Sequence, residues 1–228
     1  MLYQYNYLIG DLILLVIWII LFLWRKDTRK EMLYTSLFFG FIGLIVESTY
    51  GKDWWHPQTI TNTLPGPESF IFGFVVAGIA AVIYSVIFSK KVKIKRKLNL
   101  KRNLFFIPFL LCGIIIFFVG FYLIKLNSFY SSIPAFLIPL MIMLIKRKDL
   151  IINSLASGFL LMIISFVFYV PLELITPGWI NSAWNFNMVS GITLIGVPIE
   201  DLIWFFLAGL LIGPLYEYWQ KGKLINKK

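Results

Sequence analysis

Long apolar runs alternate with short polar stretches along the whole chain. Seven such runs fall at about residues 7–24, 32–46, 66–89, 104–124, 133–145, 150–175 and 197–216. A helix needs roughly 20 apolar residues to cross a hydrocarbon layer, so each run reads as a spanning helix. The second and fifth are short, and are expected to borrow flanking polar residues or to tilt less than the others. The pattern predicts an all-α integral membrane protein of seven transmembrane helices, with residues 1–228 forming one domain and no linker.

The polar stretches differ sharply in charge. Lys and Arg cluster after the first run (Arg25, Lys26, Arg29, Lys30), after the third (Lys90, Lys91, Lys93, Lys95, Arg96, Lys97, Lys101, Arg102), after the fifth (Lys146, Arg147, Lys148) and after the seventh (Lys221, Lys223, Lys227, Lys228). These are 19 of the 21 basic residues; only Lys52 and Lys125 fall elsewhere. Basic residues stay on the cytoplasmic side, so the N-terminus is expected outside, the C-terminus in the cytoplasm and the chain in the cell membrane as a multi-pass protein. An even number of spans would break this alternation. The net charge of +10 then calls for anionic lipid heads and no nucleic acid. Residues 1–10 lack the basic start of a cleavable signal.

The pattern also repeats. An offset of 132 residues lays Glu68 on Glu200, Ser69 on Asp201, Phe72 on Trp204, Phe74 on Phe206, Ala77 on Gly209 and Tyr84 on Tyr216. Pro67 or Pro198 stands just before each acid, and before that lies a loop rich in Trp, Asn and Gly. Each loop follows a helix ending in a carboxylate, Glu47 or Glu173. Segments 2–3 and 6–7 thus form an internal repeat, residues 32–89 and 150–220, and sites in such proteins sit between the halves.

Acids within membrane-length helices are costly and usually functional. Glu47, Glu68, Glu173, Glu200 and Asp201 map to one level near the outer end, and are read as a shared acidic site. The other reading is capping at the interface, where Pro and Asp/Glu suit a helix N-terminus. Residues three and four apart share a helix face, which sets Glu200 above Trp204 and Glu68 above Phe72. Asp201 is turned by about 100° and is assigned to support Glu200 or to face the neighbouring helix. Aromatic faces stabilise cations in dry surroundings, so an acid over an aromatic wall suits protonation of an apolar substrate. Trp54, Trp55, His56, Asn62, Trp184 and Asn185 in the outer loops are candidates to hold substrate or carboxyls, or to fold back as a lid; the tryptophans also suit interfacial anchoring. Asp11 reads as interfacial, as do Tyr84 and Tyr216 at the opposite end.

Composition narrows the chemistry. One cysteine, Cys112, and one histidine, His56, exclude a disulfide, a thiol cluster and a multi-histidine metal centre. No Gly-rich dinucleotide fingerprint is present, so no metal and no cofactor are expected.

Pro198-Ile199-Glu200-Asp201 followed by Trp204-Phe205-Phe206, with Pro171-Leu172-Glu173 as companion, resembles the motif of the membrane lycopene cyclase domain family. That family includes heterodimeric bacterial, archaeal and fungal carotenoid cyclases. Pro67-Glu68-Ser69 departs from the motif, lacking the spacer and the second acid. The resemblance implies proton-initiated, non-redox closure of an acyclic carotenoid end group to a β-ring, an isomerase-type reaction. The substrate is then lycopene or another apolar isoprenoid. On this reading Glu200 is the proton donor, Trp204 and Phe72 shield the cation, and Glu68 or Glu173 takes the proton back. Two other classes stay open: a proton-coupled transporter and a non-catalytic carotenoid or lipid binder. A retinal protein is disfavoured because the seventh segment has no Lys. A homo-oligomer is compatible with every reading.

Overall fold

A computed structural model describes residues 3–94 and 100–227, and the side chains of all of these but 100–105. Lys95, Arg96, Lys97 and Lys228 of the basic clusters lie outside the described residues. The chain is mostly helical: α1 (Asn6–Trp24), α2 (Arg29–Tyr50), α3 (Pro67–Ile87), α4 (Leu100–Phe118), α5 (Ser128–Lys146), α6 (Ile151–Ile175), a short α7 (Trp179–Ala183), α8 (Ile199–Ile212) and α9 (Leu215–Gln220). A π-helical turn, Val119–Leu123, continues α4. Seven stretches are long and apolar enough to cross a membrane, the last being Ile199–Gln220, formed by α8 and α9 together. The two short runs are full helices after all. Hydropathy stops at the last apolar residue, but polar residues such as Arg29, Ser48 and Ser128 continue the helical backbone. Glu47 therefore sits one turn inside α2 and does not end it.

Two minimal ribbons complete the fold. β1 (Lys90–Lys93) pairs antiparallel with β4 (Lys223–Asn226), and β2 (Thr193–Leu194) pairs with β3 (Val197–Pro198). Their contacts define the ends of the bundle. At the basic end Arg25, 5% exposed, binds Asp27 and donates to the carbonyls of Ser85 (2.8 Å) and Lys90. The Arg25 guanidinium, with Lys227 beside it, holds the Asp27 carboxyl well below the usual carboxylate range. At the other end the loop after α2 meets the loop after α6, and Tyr3 and Asn6 reach Pro177 and Thr176.

The tightest helix pairs are α2 with α3 and α6 with α8. Both crossings run on glycine. A Cβ on Gly43 would meet the Ser69 carbonyl at 2.5 Å, and one on Gly209 would meet the Ser157 carbonyl at 2.5 Å and the Gly158 Cα at 2.8 Å. Small residues let membrane helices approach until their backbones touch, and dispersion then does what hydrophobic burial cannot do in lipid. Gly209→Val should therefore force α6 and α8 apart and cost about 1–3 kcal/mol, the range for overpacking a close contact. Thermal unfolding in detergent should show a lowered midpoint for this variant, with little change for a Val at exposed Ile203.

Candidate active site

A cavity of about 160 Å³ opens between α2, α3, α4, α5 and α8, with Tyr7 of α1 and Tyr169 of α6 reaching its wall. Its lining is almost wholly apolar and aromatic, including Phe39, Phe72, Phe117, Phe136 and Trp204. Two carboxyl side chains face it, Glu47 and Asp201. Phe72 and Trp204 stand with ring centroids 6.0 Å apart, and Phe136 meets Trp204 edge-on at 5.8 Å. Under the 132-residue offset Ser69, Phe72 and Val76 fall on Asp201, Trp204 and Ala208, and all six line the cavity.

The two carboxyls are held differently. Glu47 Oε1 accepts from the Trp55 indole N–H at 2.6 Å, and Ser69 and Tyr7 line the cavity with it. Asp201 is 4% exposed, lines the cavity with Tyr169, and has no hydrogen-bond partner at Oδ2. Beside it the Trp204 indole donates to the Tyr50 hydroxyl at 2.9 Å, tying α8 to α2.

The other expected acids do other work. Glu68 and Glu200 are buried, 0% and 2% exposed, yet neither lines the cavity. Each reaches back to its preceding loop: Glu68 Oε1 accepts from Ile60 N at 2.7 Å, and Glu200 Oε1 from Ser190 N at 2.7 Å. Glu173 accepts from Gly178 N (2.7 Å) and Ile180 N (3.0 Å) and so caps α7. The expected face is thereby corrected. Trp204 shares the cavity side with Asp201, three residues before it, and Glu200 is turned to the loop. Asp11 is corrected too: it is fully buried, within electrostatic reach of Glu47 and Glu68, and neither oxygen has a polar partner. Tyr84 and Tyr216, read as interfacial, are buried as well.

The outer loops fold inward. Trp54, Trp55 and Trp184 are all buried, Trp54 and Trp184 stand 4.6 Å apart, and Trp55 forms a β-bridge with Trp184. These indoles are packing and cavity wall, with no place as interfacial anchors. His56 is exposed and meets the bridge only through its backbone N–H, which donates to Ala183 O at 2.7 Å. Asn62 is exposed on the loop, and Asn185 donates to the Asp53 carbonyl at 3.2 Å. Neither asparagine holds a carboxyl.

Residues that sequence reasoning passed over complete the site. Tyr7, Tyr50 and Tyr169 are each buried and polar at the tip, and tyrosines within long apolar runs were their only signal. Asp53 anchors the loop: its carboxylate accepts from Ser128 N (2.6 Å) and Ser128 Oγ (2.5 Å), and the Trp54 indole donates to the same Oγ at 2.9 Å. That clamp joins residues 75 apart and leaves no local trace.

A protein-family model described as lycopene cyclase matches residues 127–219, which run from the start of α5 to the end of α9. Over that stretch, less than half of the chain, the protein is similar to the lycopene cyclase family. The matched stretch takes in Tyr169, Asp201 and Trp204 and leaves out Tyr7, Glu47 and Phe72, so it covers one side of the cavity. No curated protein and no solved structure matches the chain.

Removing a charged acceptor from a buried clamp costs about 1–3 kcal/mol. Asp53→Ala should lower the unfolding midpoint and raise protease cleavage within residues 51–66, while Lys52→Ala, at the exposed neighbour, should change neither.

Proposed function

We propose that this chain, similar over residues 127–219 to the lycopene cyclase family, belongs to it and closes the end group of an acyclic isoprenoid to a ring by proton transfer within the membrane, with no net redox change. One observation carries the proposal: an aromatic cavity presents two carboxyls in unlike surroundings. A buried carboxyl without a donor or cation beside it is cheaper neutral than ionised, and Asp201 is so placed through its Oδ2. The Trp55 indole N–H that donates to Glu47 at 2.6 Å favours the anion there. Asp201 is thus the proton donor and Glu47 the base. Trp204 and Phe72 line the space between α3 and α8 where the cation forms, and their ring faces stabilise it.

The size of the cavity fits this division. A dry cavity of about 150 Å³ takes one benzene-sized guest, so 160 Å³ admits one end group and not a long polyene. The remainder of the substrate lies toward lipid between α2 and α4, which both line the cavity but pack little on each other among the described residues. By the positive-inside rule the basic end faces the cytoplasm, and the acid-bearing end the outside. The offset pairs that line the cavity support an internal repeat whose halves, α2–α3 and α6–α8, meet at the site.

A transporter would need a polar route between the ends. A second pair of buried acids, Glu31 and Glu217, lies toward the basic end, where Glu217 accepts from Asn153 at 3.0 Å. Between the two groups the interior is filled by Val75, Val76, Ile79, Leu161, Phe205 and Ala208, which favours local proton chemistry over transport.

The test is expression in cells that accumulate lycopene, followed by pigment analysis. Asp201→Asn and Glu47→Gln should each cut ring formation by at least about 100-fold, the lower range for losing a general acid or base. Glu200→Gln should retain ring formation at equal protein level. An inactive Glu200→Gln beside an active Asp201→Asn would return the donor role to Glu200. Pigment bound and recovered unaltered by the wild type would indicate a binder.

A further inference from the structure

The hairpin before α8 has the wrong residue at its tip for a turn in water. β2 (Thr193–Leu194) and β3 (Val197–Pro198) pair through Leu194 and Val197, which leaves Ile195 and Gly196 as the turn between them. Both have positive φ, 54° and 78°. A two-residue turn with positive φ at both centres favours Asn-Gly, because asparagine and glycine enter the left-handed region most readily. A β-branched residue there is an outlier, since its side chain crowds the backbone. Here isoleucine takes the first position and is 74% exposed. The other non-glycine residues with positive φ among those described are Asn62, Ser89, Lys125 and Lys221, all polar. Ile195 is thus unfavourable for the backbone, and in water it would be unfavourable for the side chain too.

The tip is part of a larger apolar surface. Ile192 and Leu194 are exposed beside it, and no charged residue lies anywhere between Glu173 and Glu200. β3 packs on α6. That helix exposes Phe159, Ile163, Val167 and Leu174, whose spacing of four and seven sets them on one face, the face a spanning helix turns to lipid. The base of the hairpin is firmly held. Ile199 N donates to Ile192 O at 3.0 Å, Ser190 N to Glu200 Oε1 at 2.7 Å, and Asn127 Nδ2 to Met188 O at 3.0 Å, while Val197 is fully buried. The tip projects free: a Cβ on Gly191 or Gly196 would meet nothing within 4 Å.

We infer that residues 190–197 form a membrane-contact surface, with Ile192, Leu194 and Ile195 sunk among the lipid acyl chains at the acid-bearing end of the bundle. Burial of these side chains in hydrocarbon offsets the strain of a left-handed isoleucine, as water could not. Lipid is favoured over a protein partner for two reasons. The surface runs on into the exposed row of α6, and the hairpin offers no charged group for a partner to read. The inference holds whatever reaction the cavity performs. It also gives Glu200 a task. Its carboxyl grips the base of the hairpin through Ser190 N, one residue before Asp201, so the lipid-held hairpin and the cavity acid share the first turn of α8.

Spin-label accessibility tests the contact. The full chain carrying Cys112→Ser is labelled with a nitroxide at Ile195→Cys and reconstituted into vesicles of phosphatidylcholine and phosphatidylglycerol. Oxygen collects in hydrocarbon, and a neutral nickel chelate stays in water. Oxygen should relax the Ile195 label more strongly than the nickel chelate does. The order should reverse for a label at Asn62→Cys, which has the same left-handed backbone and is exposed on the other loop. Ile192→Cys repeats the measurement outside the turn, so the result does not depend on how position 195 tolerates the label. Stronger relaxation by nickel at both hairpin positions would put the hairpin in water and overturn the inference. Weak relaxation by both reagents would mean that protein covers the tip, and would overturn it as well; recovery in discs holding one copy would identify the cover as a second copy of this chain.

Discussion

A carboxyl inside an apolar bundle has to find a hydrogen-bond donor or give up its charge, and most of the outer half of this protein is arranged around that requirement. Backbone N–H groups of the loops serve Glu68, Glu173 and Glu200. The Trp55 indole serves Glu47. The consequence is a division of labour. Acids satisfied by loop backbone fix the loops over the helix ends, while Glu47 and Asp201, which take no bond from loop backbone, are left facing the cavity. Trp55 shows how closely the two tasks are linked: its backbone bridges to Trp184, and its indole holds Glu47.

The same requirement explains why the loops turn inward. Loops at a membrane surface usually remain in water, but here Trp54, Trp55, Trp179 and Trp184 are at most 6% exposed. Their burial draws on the Asp53–Ser128 clamp, which links the loop after α2 to the start of α5. The cavity roof is therefore anchored in three helices, and the aromatic wall needs no rearrangement to exclude water. In a reaction that forms a carbocation, such exclusion also prevents capture of the cation by water.

Much of this architecture was legible in the chain because hydropathy is a local property. Each span could be read from its own residues, and the match to lycopene cyclase over residues 127–219 agrees with the motif at Pro198–Asp201. The acidic site was legible only in outline. Positions 200 and 201 are equally apt for a face shared with Trp204, since residues three and four apart both qualify. What chooses between them is the packing of α8 on α6 through Gly209 and Gly158, which fixes the rotation of α8. Acids aligned in sequence also drew the eye to Glu68 and Glu200. The aligned pair that reaches the cavity is Ser69 and Asp201, one polar hydroxyl and one acid. Asp11 reads as interfacial because the repeat gives it no partner, but α1 packs on α3 and α6 and carries that turn inside.

The Ser69 and Asp201 pair also accounts for the asymmetry of the site. Two identical halves with an acid at each of these positions would set two equivalent carboxyls against one cavity, and like charges in a dry space resist ionising together. Serine at one position removes that conflict and leaves Glu47, from the preceding helix, as the carboxyl on that side of the cavity. The result is one carboxyl bonded by an indole and another with an oxygen left unpartnered, an inequality that a reaction both giving and taking a proton would need.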